Sequence, residues 1–111
     1  MVNIVGDLKD PTLTEIVRRL VEALQPEQVY LFGSHARGDS TAESDYDVLV
    51  VVKELADQPF QLEQQAYHAL LGLATPVDVV VMSRERFEKR RGVSASLPAT
   101  VEREGQLLYA A

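Results

Sequence analysis

The chain contains no cysteine, which excludes disulfides, thiolate zinc sites and a cysteine nucleophile and suits an intracellular setting. No apolar run approaches the ~18 residues that a membrane-crossing helix needs. The N-terminus, "MVNIVGDLKDP", has no basic region leading into an apolar stretch, so it does not read as a signal peptide. A cytoplasmic protein without membrane contact is expected. Basic residues are scarce too: 11 Lys and Arg stand against 17 Asp and Glu, a net charge of -6. That balance argues against general nucleic-acid binding, because neutralising phosphates takes Lys and Arg. One stretch departs from it. "RERFEKRR" gathers Arg84, Arg86, Lys89, Arg90 and Arg91 around Glu85 and Glu88, and it reads either as a solvated helical face of mixed charge or as a surface for a partner or phosphate.

What is present is an ordinary globular composition, 46% hydrophobic and 25% charged over 111 residues. One domain over residues 1–111 is expected, with no room for a separate substrate domain. Asp10-Pro11 and the box Thr12-x-x-Glu15 signal a helix start, and Leu13, Ile16, Val17, Leu20 and Leu24 keep helical spacing until Pro26. "QVYLF" (28–32) reads as a strand opening into a turn at Gly33. A short helix or loop over Ser34 to Ser40 and the turn-forming "GDSTAESD" lead to "DYDVLVVV", a second strand that its unbroken apolar run makes central. Pro59 opens another helix, with Leu62, Ala66, Ala69, Leu70 and Leu73 on one face and an end at Gly72 to Pro76. "PVDVVVM" (76–82) reads as a third buried strand. Ser83 is an N-cap for the basic segment, Gly92 and Pro98 separate it from a final helix ending near Gly105, and "QLLYA" suits a short edge strand. The order α-β-α-β-α-β-α around a small central sheet is an α/β architecture.

Chemistry concentrates in "YLFGSHARGDSTAESDYDVLVVV". On a strand Asp45 and Asp47 point to the same face with Cα atoms about 6.6 Å apart, and Tyr46 points to the other. Two carboxylates held close in a partly dry site repel, and protonation or a cation relieves the repulsion. With no Cys and 2 His in the chain, oxygen ligands favour Mg²⁺ or Mn²⁺ over zinc. Asp78 is the one charge in the third strand's apolar run, expensive there unless paired; if the strands are neighbours it falls beside Asp45 and Asp47. Two divalent ions about 3.5–4 Å apart could then hold a nucleotide phosphate. Gly33 allows close backbone approach, and the amides after it with the Ser34 hydroxyl can cradle phosphate where a helix begins. The Walker A ending is missing. Arg37 in the same turn steadies a phosphate or pairs with Asp39. His35 reads as a solvent-facing loop residue rather than a metal ligand or a partner contact, His68 as a surface or boundary residue, and Tyr30, Tyr46, Tyr67 and Tyr109 as packing residues.

Gly33-Ser34, then Asp45-x-Asp47 after a short polar loop, then Asp78 in an apolar strand, resembles the nucleotidyltransferase signature of the DNA polymerase beta-like superfamily. "GSHARGDSTAESDYD" in particular resembles the minimal nucleotidyltransferase domains, whose pattern is Gly-Ser-x-Ala-Arg-Gly followed by Ser-Asp-x-Asp. The resemblance implies the minimal nucleotidyltransferase fold with a mixed sheet. It implies that Asp45, Asp47 and Asp78 ligate the metals, with Asp78 as a candidate base toward the acceptor hydroxyl. Gly33 and Ser34 would hold the triphosphate of ATP. Chains of this size in the family are commonly the antitoxin half of HEPN/MNT toxin-antitoxin pairs, which adenylylate a tyrosine of the HEPN partner. That transfer is the leading expectation. The rivals are an antitoxin that neutralises its partner by occlusion, using the basic segment and apolar surface on the last helix, and a nucleotidyltransferase subunit acting on a small molecule.

Overall fold

The computed structural model describes residues 9–41, 43–54 and 59–111. The segment tested above for a signal peptide lies, up to residue 8, outside the described residues, as does residue 42 of the turn-forming stretch. The elements follow as α1 (Pro11–Leu24), β1 (Gln28–Phe32), α2 (Ser34–Arg37), β2 (Tyr46–Val52), α3 (Pro59–Ala69), β3 (Val77–Ser83), α4 (Arg84–Arg90), α5 (Leu97–Glu104) and β4 (Gln106–Ala110).

Helix α1 begins where proline is preorganised for a first turn and Asp10 supplies the cap: its Oδ1 accepts from the amides of Thr12 at 2.9 Å and Leu13 at 3.3 Å. The Thr12-x-x-Glu15 box is therefore not used. Thr12 lies inside the helix, and Glu15 pairs with Arg18 at 2.6 Å and Arg19 at 2.7 Å. The helix stops at Gln25, which turns left-handed with φ 48° and gives its amide to the Val21 carbonyl. Pro98 likewise sits within the first turn of α5 rather than ahead of it, since a first-turn amide has no helical partner to lose.

The sheet has the order β3-β2-β1-β4, with β1 antiparallel to both β2 and β4 and β2 parallel to β3. A parallel pair needs a crossover, and α3 provides it. Alternation along the strands then sorts the core onto two faces. Val48, Val50 and Val52 of β2 meet Val77, Val79 and Val81 of β3 and the buried stripe Leu13, Ile16, Val17 and Leu20 of α1. The opposite parity, Leu49, Val51 and Met82, packs with Phe87 of α4 and Val101 of α5. Because β2 has a helix layer on either side, Val48 to Val51 are all fully buried, which is why its apolar run is unbroken.

Strand β3 is apolar and yet lies at the sheet edge. Two of its outward amides are covered by side chains of α3: Val79 N donates to the Tyr67 hydroxyl at 3.2 Å and Val81 N to Glu63 Oε2 at 3.3 Å. Tyr67 is thus no packing residue; the residue is 45% exposed while its oxygen blunts an edge that would otherwise pair with another strand. The last helix also differs from expectation. Helix α5 turns Glu102, Arg103 and Glu104 outward and buries Ala99 and Val101, and the large apolar side chains exposed among the described residues are Phe60, Tyr67, Leu71 and Val93.

Candidate active site

Four chain segments end at one pole of the sheet. Strand β1 runs out at Phe32, β2 and β3 begin there, and α2 starts one residue beyond β1. The ladder registers are Phe32 opposite Asp47 and Asp47 opposite Asp78. Adjacent strands lie about 4.8 Å apart and paired residues point to one face, so the register alone sets the two carboxylates side by side. Both carry the parity of Leu49, Val51 and Met82, so they stand on the α4 and α5 side of the sheet, at the pole. Asp45 lies just before β2 and is exposed.

Gly33 is explained by Asp47. A Cβ at position 33 would stand 2.2 Å from Asp47 Oδ2, and the backbone there has φ +75°, a region that side chains disfavour. The close approach that glycine permits is therefore first of all to this carboxylate. From Gly33 the chain turns at once into α2, where the Ala36 and Arg37 amides donate to the Gly33 carbonyl and the Gly38 amide to Ser34. Arg37 reaches Asp39 at 3.2 Å, with both side chains exposed, so the pair is weak and solvent-screened.

The electrostatic burden falls on Asp47. Burial pushes its carboxyl above the usual carboxylate range, the charges of Asp78 and Asp45 push it further, and a hydrogen bond with Asp78 adds to the effect. Asp78, expected to be a costly charge inside a strand, is exposed; it lies at the strand mouth, where water reaches it, and the desolvation is borne across the ladder. His35 acts in the opposite direction on Asp47.

His35 is not a solvent-facing loop residue. Its ring stacks on Tyr46 with centroids 3.9 Å apart and planes 10° apart, and its Nε2 lies 3.1 Å from the Ser44 carbonyl oxygen. The Tyr46 hydroxyl donates to Asp10 Oδ2, the second oxygen of the carboxylate that caps α1. Burial and that carboxylate push the Tyr46 phenol up to about 12. Sequence reasoning missed this cluster, because ring stacking and a bond to a main-chain carbonyl leave no spacing signal.

An all-oxygen donor set in which the charges of Asp45 and Asp78 raise the proton affinity of Asp47 suits a hard divalent cation. Asp47 and Asp78 are the pair brought together, with Asp45 close enough for its charge to act on Asp47. Among the described residues no group of three His, Cys, Asp or Glu side chains encloses an ion position by itself.

A small mixed sheet with helices on both faces, carrying a Gly-Ser turn beside aspartates on neighbouring strands, is an α/β nucleotidyltransferase arrangement. Residues 12–108 match the nucleotidyltransferase domain family, and the chain belongs to that family and is a nucleotidyltransferase. It is 37% identical over 82 residues, 74% of this chain and 77% of the relative, to the "Putative protein adenylyltransferase MJ0604" of Methanocaldococcus jannaschii. Among solved structures, a toxin-antitoxin with AMP-PNP aligns at 25% identity with a TM-score of 0.54, covering 94% of this chain and 75% of that one. A mutant form of the toxin-antitoxin MntA-HpeT aligns at 27% identity with a TM-score of 0.51, covering 95% and 75%.

Proposed function

We propose that this chain, acting as one minimal nucleotidyltransferase domain, transfers AMP from ATP to a tyrosine hydroxyl of a HEPN-type toxin and so serves as its antitoxin. The observation that carries the reading is the register of Asp47 beside Asp78, with Asp47 pressed against the Gly33-Ser34 turn. The similarity to a protein described as an adenylyltransferase and to toxin-antitoxin structures, one with an ATP analogue, supports the substrate and the partner.

In this reading Gly33 and Ser34 hold the triphosphate at the start of α2, and Arg37 leaves its weak pair with Asp39 for a phosphate. The acceptor oxygen attacks the α-phosphorus, the bond to pyrophosphate breaks on the far side, and Asp78 takes the hydroxyl proton. Positioning supplies most of the acceleration. Asp45, Asp47 and Asp78, together with phosphate oxygens, would hold Mg²⁺ or Mn²⁺ in a two-ion site, which supplies charge neutralisation on the phosphates.

The test is incubation with labelled ATP, Mg²⁺ and a HEPN-type partner. Label on the partner tyrosine is expected, and its absence beside an active control refutes the reading. The rival, neutralisation by occlusion, draws on the exposed Phe60 and Leu71 of the α3 segment and on Arg86 and Arg90 of α4. Asp45→Asn with Asp47→Asn separates the two, since an occluding antitoxin keeps neutralising its toxin.

A further inference from the structure

The described residues between Gly38 and Asp45 belong to no strand, yet they lead into a carboxylate whose charge acts on Asp47. Asp45 is exposed and lies outside β2, so strand pairing does not aim it. Its neighbours on either side are held instead. The Tyr46 amide donates to the Pro76 carbonyl at 3.1 Å, tying the start of β2 to the turn before β3. The Ser44 carbonyl is held by His35. A carbonyl only accepts, so His35 Nε2 carries the proton of that 3.1 Å bond. Ser44 also fastens the loop to itself, its hydroxyl accepting from the Thr41 amide at 2.8 Å and its amide donating to the Thr41 carbonyl at 3.1 Å.

The other face of the His35 support is rigid. Its ring lies flat on Tyr46, Tyr46 is bonded to Asp10, and Asp10 caps α1. A continuous line of contacts thus runs from the first turn of a 14-residue helix through two stacked rings to the peptide bond that leads into Asp45. A ring that is half-buried and stacked loses little further freedom in making its hydrogen bond, which suits it to fixing a main-chain position.

We propose that His35 is a positioning residue for Asp45: through the Ser44 carbonyl it holds the loop so that the Asp45 carboxylate faces Asp47 and Asp78. The inference rests on the transferase reading for its consequence and on the geometry for its substance. Position 35 is the variable site of the Gly-Ser-x-Ala-Arg-Gly pattern, so the pattern itself assigns it nothing.

The test uses the full chain with three variants. His35→Phe keeps the stacked ring and loses the donor; His35→Gln keeps a donor and loses the ring; Asp45→Asn marks the loss of the carboxylate. Two readouts are taken, AMP transfer with kcat and KM for ATP, and Mn²⁺ affinity by electron paramagnetic resonance without nucleotide. With one hydrogen bond removed, His35→Phe should lower kcat about three- to tenfold with KM for ATP within about twofold, and weaken Mn²⁺ by a similar factor. His35→Gln should recover part of both. Equal kcat and Mn²⁺ affinity in wild type and His35→Phe overturn the proposal. So does a loss that His35→Gln fails to restore, or one that follows a matching fall in melting temperature. If the wild type transfers no AMP, the transferase reading fails by itself. Mn²⁺ then decides the geometry: weaker binding in His35→Phe upholds the role and unchanged binding overturns it.

Discussion

Removing the charge of Asp78 should make the metal-free protein more stable. Asp78→Asn preserves volume and a hydrogen-bonding partner for Asp47, and because Asp78 is exposed the change opens no cavity. What it removes is repulsion across the β2–β3 ladder, where the two residues are paired in register. At a strand spacing of about 4.8 Å two unit charges repel by about 3.5 kcal/mol at an effective dielectric of 20 and about 0.9 kcal/mol in bulk water. One partner faces water, so the lower part of that range applies, about 1–2 kcal/mol. For a chain of this size that corresponds to a rise in melting temperature of about 4–8 °C.

The pH dependence follows from the direction of the Asp47 shift. Its folded carboxyl titrates above the ordinary value of 3.8, so the folded state binds more protons than the unfolded one across that interval. Stability therefore falls as pH rises through the window from 3.8 to the raised folded value. Below the window Asp47 is protonated and the advantage of Asp78→Asn should vanish; salt should shrink it at neutral pH. Circular-dichroism melts of both proteins in EDTA, at low and high salt, measure it. Added Mg²⁺ should then stabilise the wild type more than the variant. A variant that melts at or below the wild type in EDTA at neutral pH and low salt refutes the reasoning.

Gly33→Ala forces a left-handed alanine and a Cβ 2.2 Å from Asp47 Oδ2; it should cost about 1–3 kcal/mol in urea unfolding and abolish AMP transfer by displacing that carboxylate. Arg37→Ala breaks only an exposed pair with Asp39, so the melting temperature should stay within about 2 °C while KM for ATP rises; an unchanged KM would assign Arg37 to Asp39 instead. The Arg18 and Arg19 guanidiniums hold Glu15 down at about 2. Its contribution is present above the ordinary 4.5 and lost as pH falls toward about 2, so Glu15→Gln should flatten the acid limb of a melting-temperature profile over that window. An unaltered limb would show that the pairs are not formed in solution.

Most elements were legible because each carries its own local signal. "QVYLF" is β1 to the residue, and "PTLTEIVRRLVEAL" shows the apolar period that α1 buries. The neighbourhood of Asp47 and Asp78 was legible only as a condition on which strands are adjacent, which β2–β3 pairing satisfies. Other readings failed for a common cause. Thr12-x-x-Glu15 matched a capping box, but Asp10 had taken the amides. Tyr67 had the composition of a packing residue, but its hydroxyl was needed at the β3 edge. Asp78 stood in a run that looked buried, but the run crosses the mouth of the sheet.

The sequence by itself determined the periodicities, the turn at Gly33 and the presence of three carboxylates at or within two apolar strands, Asp47 and Asp78 inside them and Asp45 just ahead of β2, because these depend on side-chain alternation and backbone freedom within a few residues. Tertiary structure alone decided which carboxylate bears the burial, that Gly33 is matched to Asp47, and that His35 reaches the Ser44 carbonyl beside Asp45. Those are distances between segments that meet only when the sheet closes its order, and no local pattern encodes a distance of that kind.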